Sequence, residues 1–394
     1  MNKRLVLIAC FLTVFTSYAI RYGYGALLPE MLGTLDITKA EAGVIFSSFF
    51  VAYTLSSPIL GLLGDRWNAR WLLSIFVAIL GLGAFLMSYA SSILSASLFY
   101  VLAGIGSSAC WAPVMALAQR WTSRENIGKT LAIIDVGSAV SLIGTGAVIP
   151  LVVAAYDWQT GWVFLGALGF IAAALNFLVI RDRPPEARND TGAERKRHPS
   201  ARLLIAGLVR DPRFWLLGMA YLLTGFSILI PFTFLSTYAA EQLDFSYELA
   251  ANLLTAIGIG AIISKVVFGI LSDRIGRLRI MMLCAVLIAC GSLGMVFGRG
   301  VWLFLTSVVF SLGYGVVWAM YAAAASDYFS GESAGTIVGL WTMFLGVGSV
   351  LAPIVSGWIA DRTGNLAWSF ALAAGAAALS LLLLLPVRKR RQPA

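Results

Sequence analysis

Long apolar runs separated by short polar turns set the organisation of this chain. Twelve stretches are long enough to cross a bilayer, each needing about 20 apolar residues: 5–28, 41–63, 70–90, 94–119, 128–154, 160–180, 214–238, 248–271, 278–297, 301–327, 334–359 and 366–386. The apolar residues run continuously instead of alternating, which predicts helices and not the strands of a membrane barrel. In lipid each backbone polar group needs an internal partner, and a helix supplies one along its whole length. The start, Met1-Asn2-Lys3-Arg4 before an apolar run, resembles a signal peptide. However, the run is too long and lacks a small-residue cleavage site, so it reads as a retained first helix. Residues 181–213 break the pattern with Arg181, Arg183, Pro184, Pro185, Glu186, Arg188, Asp190, Arg195, Lys196 and Arg197. The expected class is an all-α membrane protein: a six-helix bundle over 1–180, a cytoplasmic linker over 181–213 and a second six-helix bundle over 214–394.

Composition agrees with lipid as the solvent. Hydrophobic residues make up 59% of the 394 positions, charged residues 12%, and mean hydropathy is +0.86. A soluble domain carries roughly 25% charged residues. The net charge of +9 would suggest nucleic acid in a soluble protein, but its placement explains it otherwise. With the N-terminus inside, 23 of the 28 Lys and Arg fall in cytoplasmic segments, leaving outside only Lys39, Arg299 and Arg362. That bias predicts cytoplasmic termini in a bacterial-type inner membrane, with lipid and not nucleic acid as the partner. Cys10, Cys110, Cys284 and Cys290 lie in apolar runs without metal-ligand spacing, and the single histidine, His198, lies in the linker. Nothing here calls for a metal, a cofactor or an enzyme's nucleophile and base.

The two halves repeat one another. Gly61-Leu62-Leu63-Gly64-Asp65-Arg66-Trp67-Asn68-Ala69-Arg70 follows span 2, and Gly269-Ile270-Leu271-Ser272-Asp273-Arg274-Ile275-Gly276-Arg277 follows span 8, 208 residues later. Gly104-Ile105-Gly106 in span 4 recurs as Gly313-Tyr314-Gly315 in span 10, and Pro29 of span 1 as Pro231 of span 7. These loops resemble the G-x-L-x-D-R-x-G-R signature of the major facilitator superfamily. The second copy matches fully; the first departs at Asn68 and Ala69; a partial third echo, Gly357-Trp358-Ile359-Ala360-Asp361-Arg362, follows span 11. The resemblance implies a monomeric carrier with two pseudo-symmetric bundles and alternating access. It also implies gating roles for Asp65, Arg66 and Arg70, and for Asp273, Arg274 and Arg277. Asp65 is expected against the N-terminus of span 11 and Asp273 against that of span 5, where the helix dipole favours an anion.

Charges inside spans are costly and usually face a cavity. Arg21 lies about 16 residues, roughly 24 Å, from Leu5 and is therefore buried. Lys265 lies in span 8, four residues before Gly269. One cation comes from each half, and neither has a carboxylate obviously reserved for it, so a bound anion would stabilise both. The alternative is pairing with carbonyls or snorkelling to an interface. Around Arg21, Y-x-x-R with Pro29 eight residues later resembles span 1 of organophosphate antiporters and anion:cation symporters. That implies contact between Arg21 and a substrate anion. Lys265 stands where monocarboxylate transporters and the oxalate:formate antiporter carry a substrate-binding arginine, although lysine lacks the planar fork that grips carboxylate twice. Ala261 replaces the aspartate found one turn earlier in the animal monocarboxylate transporters.

Asp135, in span 5, is the carboxylate well inside a span, and it has two readings: carrier of a coupling proton, or partner of Arg21 or Lys265. Tyr22 and Tyr24 on span 1, Tyr314, Trp318 and Tyr321 on span 10, Trp111 on span 4 and Trp341 on span 11 are the candidate pocket aromatics. Tyr314, Trp318 and Tyr321 are spaced i, i+4 and i+7, which places them on one face of a continuous helix. The expected function is secondary transport of small organic anions, monocarboxylate-like, by proton symport or anion exchange. The rival is proton-coupled efflux of drugs or hydrophobic compounds; many such exporters show an arginine in span 4 where this chain has Tyr100.

Overall fold

A computed structural model describes residues 3–64, 67–182, 208–329 and 334–387. Asp65, Arg66 and His198 lie outside the described residues, as does most of the linker. Among the described residues there are helices and turns without strands, and twelve of the spans so formed are long and apolar enough to cross a membrane. They are α1 (Lys3–Leu35), α2 (Lys39–Gly64), α3 (Ala69–Met87), α4 (Ile93–Arg120), α5 (Ile127–Ala155), α6 (Trp158–Val179), α7 (Pro212–Gln242), α8 (Tyr247–Ile275), α9 (Arg277–Phe297), α10 (Val301–Tyr328), α11 (Ala334–Thr363) and α12 (Ala367–Leu384). The chain is a multi-pass membrane protein.

Local sequence accounts for many helix ends. Asn68 accepts from Arg70 N to start α3, Ser92 and Ser95 form a reciprocal capping box at α4, and Asp157 accepts from Thr160 N at α6. Asp211 caps α7, with Pro212 in the first turn, where its missing N–H costs nothing. Helix α1 runs seven residues beyond the apolar stretch, through Pro29 and Glu30 to Leu35. Hydropathy marks where lipid ends, whereas helical hydrogen bonds continue into the polar region.

Three spans are interrupted. Helix α4 stops at Ser107 and resumes at Ala112; α8 breaks between Ala251 and Leu253; α10 stops at Tyr314 and resumes at Val317. The break in α4 falls just after its Gly-x-Gly, and that in α10 begins at the second glycine, Gly315.

Helices of each half pack largely among themselves, α1 with α5 and α6, α3 with α4 and α6, and α9 with α10 and α12. The halves meet along α2–α11, α5–α8 and α1–α7. We call the membrane face bearing the α2–α3 and α8–α9 turns the basic face, and its opposite the far face. At the far face the halves touch closely. Asp361, ending α11, accepts from the backbone N–H groups of Lys39 (3.0 Å) and Ala40 (2.8 Å) at the start of α2. Ser47 Oγ donates to the Val350 carbonyl at 2.7 Å, Tyr247 Oη to the Ala26 carbonyl at 3.0 Å, and Lys39 pairs with Glu241 at 2.9 Å. Two glycines permit this approach: a Cβ on Gly25 would lie 2.1 Å from the Phe232 carbonyl oxygen, and one on Gly43 2.2 Å from that of Pro353. Towards the basic face, a Cβ on Gly61, Gly128, Gly269 or Gly339, on the same helix pairs, would meet nothing within 4 Å. The halves are thus joined at the far face and splayed at the basic face.

This geometry corrects one expectation. Asp273 is not seated against α5; its side chain is 71% exposed and pairs with Arg277 at 3.2 Å, and Arg277 also approaches Asp327 at 3.7 Å. Arg70 lies over the Phe177 ring at 4.0 Å, and Arg274 is exposed. These basic-face charges make ties within one half, because in this state the facing helix ends are apart.

Candidate functional site

Arg21 lies midway along α1, about 27 Å from its first described residue. It is 6% exposed. Its Nη2 donates to Ser107 Oγ at 3.0 Å, where α4 breaks, and Ser17 and Ser107 share a hydroxyl contact of 2.7 Å. The guanidinium carbon sits over the rings of Tyr53 (4.5 Å), Tyr18 (4.7 Å), Phe49 (5.3 Å) and Phe50 (5.6 Å). Such cation–π contacts contribute about 0.5–2 kcal/mol each and offset part of the cost of burying the charge. They do not neutralise it. Among the described residues no carboxylate pairs with Arg21, and its Nε has no hydrogen-bond partner. The backbone is held by Tyr100, whose hydroxyl donates to the Arg21 carbonyl at 2.8 Å.

Lys265 is in a different electrostatic state. Its Nζ donates to Asp135 Oδ2, an ion pair joining α8 to α5 across the two halves. The side chains are 8% and 22% exposed, and Asp135 Oδ1 is buried without a partner, as is the neighbouring Ser264 Oγ. The expectation of two unpaired cations is therefore corrected: Asp135 is the partner of Lys265, brought to it by the α5–α8 crossing. Ser264, next to Lys265, packs against Gly315, where an added Cβ would lie 2.7 Å from the Ser264 Cβ, and so sits beside Tyr314 of α10.

The aromatics divide. Tyr22 stacks on Phe232 of α7 at 4.1 Å, and Phe232 meets Tyr314 of α10 edge-on at 4.9 Å, so an aromatic bridge spans the halves beside Gly25. Trp318 is half-buried, 6.2 Å from Tyr314, and Trp111 is half-buried, 6.3 Å from Tyr18. The other three assignments to a pocket are corrected. The Tyr24 hydroxyl donates to the Ala42 carbonyl at 2.8 Å, and its ring stacks on Phe46 and Tyr100 inside the N-terminal half. Tyr321 stacks on Tyr221 at 4.0 Å and lines a small void with Thr224, Cys284 and Ile288, within the C-terminal half. Trp341 is fully buried, with its indole N–H donating to the Phe214 carbonyl at 3.0 Å. Helix α10 is interrupted at Gly315 and Val316, which keep right-handed backbone angles, and Tyr221 of α7 lies 6.0 Å from Trp318 as well as against Tyr321.

Residues not singled out from sequence are Ser17, Ser107, Phe49, Phe50 and Tyr53. Ser107 carried a weak signal, following Gly104-Ile105-Gly106 directly. Tyr53 on α2 carried none, since an aromatic in an apolar run has no periodic mark.

The sequence profile of the Major Facilitator Superfamily matches residues 10–255 and 241–394. The membrane sensor protein UhpC of Salmonella typhimurium is 27% identical, over 99% of this chain and 92% of its own. A hexuronate transporter of Bacillus subtilis is 21% identical, covering 97% and 93%. A probable sulfoacetate transporter, SauU, of Cupriavidus necator is 25% identical, covering 98% and 94%. In fold, the crystal structure of nucleoside transporter NupG superposes with a TM-score of 0.77 at 17% identity, over 98% of both chains. An inward-facing, unoccupied bacterial homolog of the human lysosomal transporter Spinster gives 0.74 at 16% identity, over 97% of this chain and 94% of that one. With twelve spans, a duplicated signature loop and a profile match over nearly its whole length, the chain belongs to the Major Facilitator Superfamily, a family of membrane transporters and not of enzymes.

Proposed function

We propose that the protein is a secondary transporter of small organic anions, monocarboxylate-like in charge and size, in a bacterial inner membrane with both termini in the cytoplasm. One observation carries the reading: a guanidinium 6% exposed, boxed by aromatic rings, paired with no carboxylate of the described residues and with Nε unpartnered. An isolated buried charge is among the costliest groups in a protein, and an anion that accepts its hydrogen bonds lowers that cost. The similarity to a hexuronate transporter and a probable sulfoacetate transporter supports the same class of cargo.

Two bundles, 1–180 and 214–394, rock around this site. The basic face is the cytoplasmic one, so the described state opens inward, with the aromatic bridge and the Asp361 cap closing the outer side. Closing the cytoplasmic side brings Asp65 towards α11 and Asp273 towards α5. The site admits two forms of coupling, proton symport through Asp135 once it leaves Lys265, and anion exchange. An imposed pH gradient separates them, because exchange proceeds without one.

The test is uptake of radiolabelled carboxylates, sulfonates and phosphate esters into proteoliposomes. Wild-type uptake of at least one class, abolished by Arg21→Gln, is expected. Undiminished uptake by Arg21→Gln refutes the scheme. A second reading, a membrane sensor, draws on the relative named UhpC. A sensor would show anion-dependent thermal stabilisation without flux.

A further inference from the structure

The ion pair between Lys265 and Asp135 does more than join two helices. Its members come from opposite halves and are largely buried; Ser264, next to Lys265, packs against Gly315 beside Tyr314, and Tyr314 connects through Phe232 to Tyr22, the neighbour of Arg21. Two cations and one carboxylate leave the region with a single net positive charge. Asp135 Oδ1 is buried and unpartnered, so the carboxylate is not tied into the protein by a second bond. A purely structural strut would be expected to satisfy both oxygens, since each unsatisfied buried acceptor costs stability.

We propose that Asp135 determines specificity by setting the charge that the site accepts: it neutralises Lys265, so monoanions are carried and dianions of the same skeleton are refused. The proposal rests on the anion-transport reading and adds a charge count to it. A monoanion against Arg21 leaves the site neutral. A dianion leaves one negative charge uncompensated in a low-dielectric setting, with the Asp135 carboxylate adding like-charge repulsion. Removing the carboxylate alone releases Lys265 as a second cation able to take the second charge.

Butyrate and succinate, four-carbon acids differing by one carboxylate, are suitable probes in proteoliposomes at neutral pH. Wild-type protein is expected to favour butyrate by about tenfold or more, the scale of one unmatched polar interaction of roughly 1.4 kcal/mol. Asp135→Asn should raise the succinate-to-butyrate ratio by about tenfold. The double variant Asp135→Asn with Lys265→Gln restores one net positive charge and should restore butyrate selectivity. Lys265→Gln alone leaves the Asp135 carboxylate unpaired and the site without net positive charge, and butyrate uptake should fall steeply. A structural role for the pair predicts that the double variant resembles the single ones and that the ratio stays constant throughout. Equal handling of both acids by wild-type protein, or an unchanged ratio in Asp135→Asn, overturns the charge count while leaving anion transport standing. Absence of uptake of any anion overturns both. Should Asp135→Asn not fold, because an unpaired lysine is left buried, the other two variants still decide: butyrate uptake lost in Lys265→Gln must return when Asp135→Asn is added, and failure to return overturns the charge count.

Discussion

Replacing Asp361 by alanine removes the acceptor for two backbone N–H groups at the start of α2 and should shift the protein towards its outward-open state. The carboxylate, at the end of α11, receives Lys39 N at 3.0 Å and Ala40 N at 2.8 Å, and so acts as a cap supplied from the other half. Loss of a capping side chain costs about 0.5–2 kcal/mol. The helix-dipole share within that is about 0.3–1 kcal/mol at exposed positions, and Asp361 is exposed, so the lower half of the range applies. Because the cap exists only while the far face is closed, its loss acts almost wholly on that state. The nearby Lys39–Glu241 pair is partly exposed and contributes little by itself. A shift of about 1 kcal/mol changes the ratio of the two states about fivefold. Spin labels at Thr34 on α1 and Glu248 on α8, both exposed on the far face, report the separation by double electron–electron resonance. The variant should show a longer-distance population about fivefold enriched over wild type. An unchanged distance distribution in folded Asp361→Ala protein refutes the cap as a state-selective latch.

Other consequences follow from the same geometry. Gly43→Ala places a Cβ 2.2 Å from the Pro353 carbonyl oxygen, so the far face cannot close as described; transport should fall at least tenfold and the same spin-label pair should move apart. Ser107→Ala deletes the hydroxyl that receives Arg21 Nη2 at 3.0 Å, and should weaken anion affinity, read as a raised KM at similar kcat if the serine aligns the guanidinium in all states. Trp341→Ala empties a fully buried site and should cost about 3–5 kcal/mol of stability in a thermal melt. The more conservative Tyr24→Phe should leave anion selectivity unchanged, since its hydroxyl serves only the Ala42 carbonyl inside the N-terminal half. A selectivity change in Tyr24→Phe would put that residue back in the pocket.

The third echo of the signature loop shows how far sequence reading reaches. Gly357 to Arg362 was visible as a repeat, but nothing in its spelling indicated that Asp361 would cap α2 at the far face. That follows from the α2–α11 crossing, which no local pattern encodes. Arg21 was legible because a charge inside an apolar run is conspicuous. The ring box around it was not, since Phe49, Phe50 and Tyr53 look like ordinary lipid-compatible residues. Lys265 and Asp135 were each conspicuous too, yet 130 residues separate them, and their pairing depends on which faces α5 and α8 turn to one another.

The sequence by itself determined the solvent, the number of spans, the duplication and the short set of buried charges, because these rest on hydrophobicity and local spacing. The tertiary structure decided which charges neutralise each other, which aromatics face the region between the halves, and which membrane face is closed. Those outcomes depend on helix rotation and crossing, where a turn of one residue moves a side chain by about 100°.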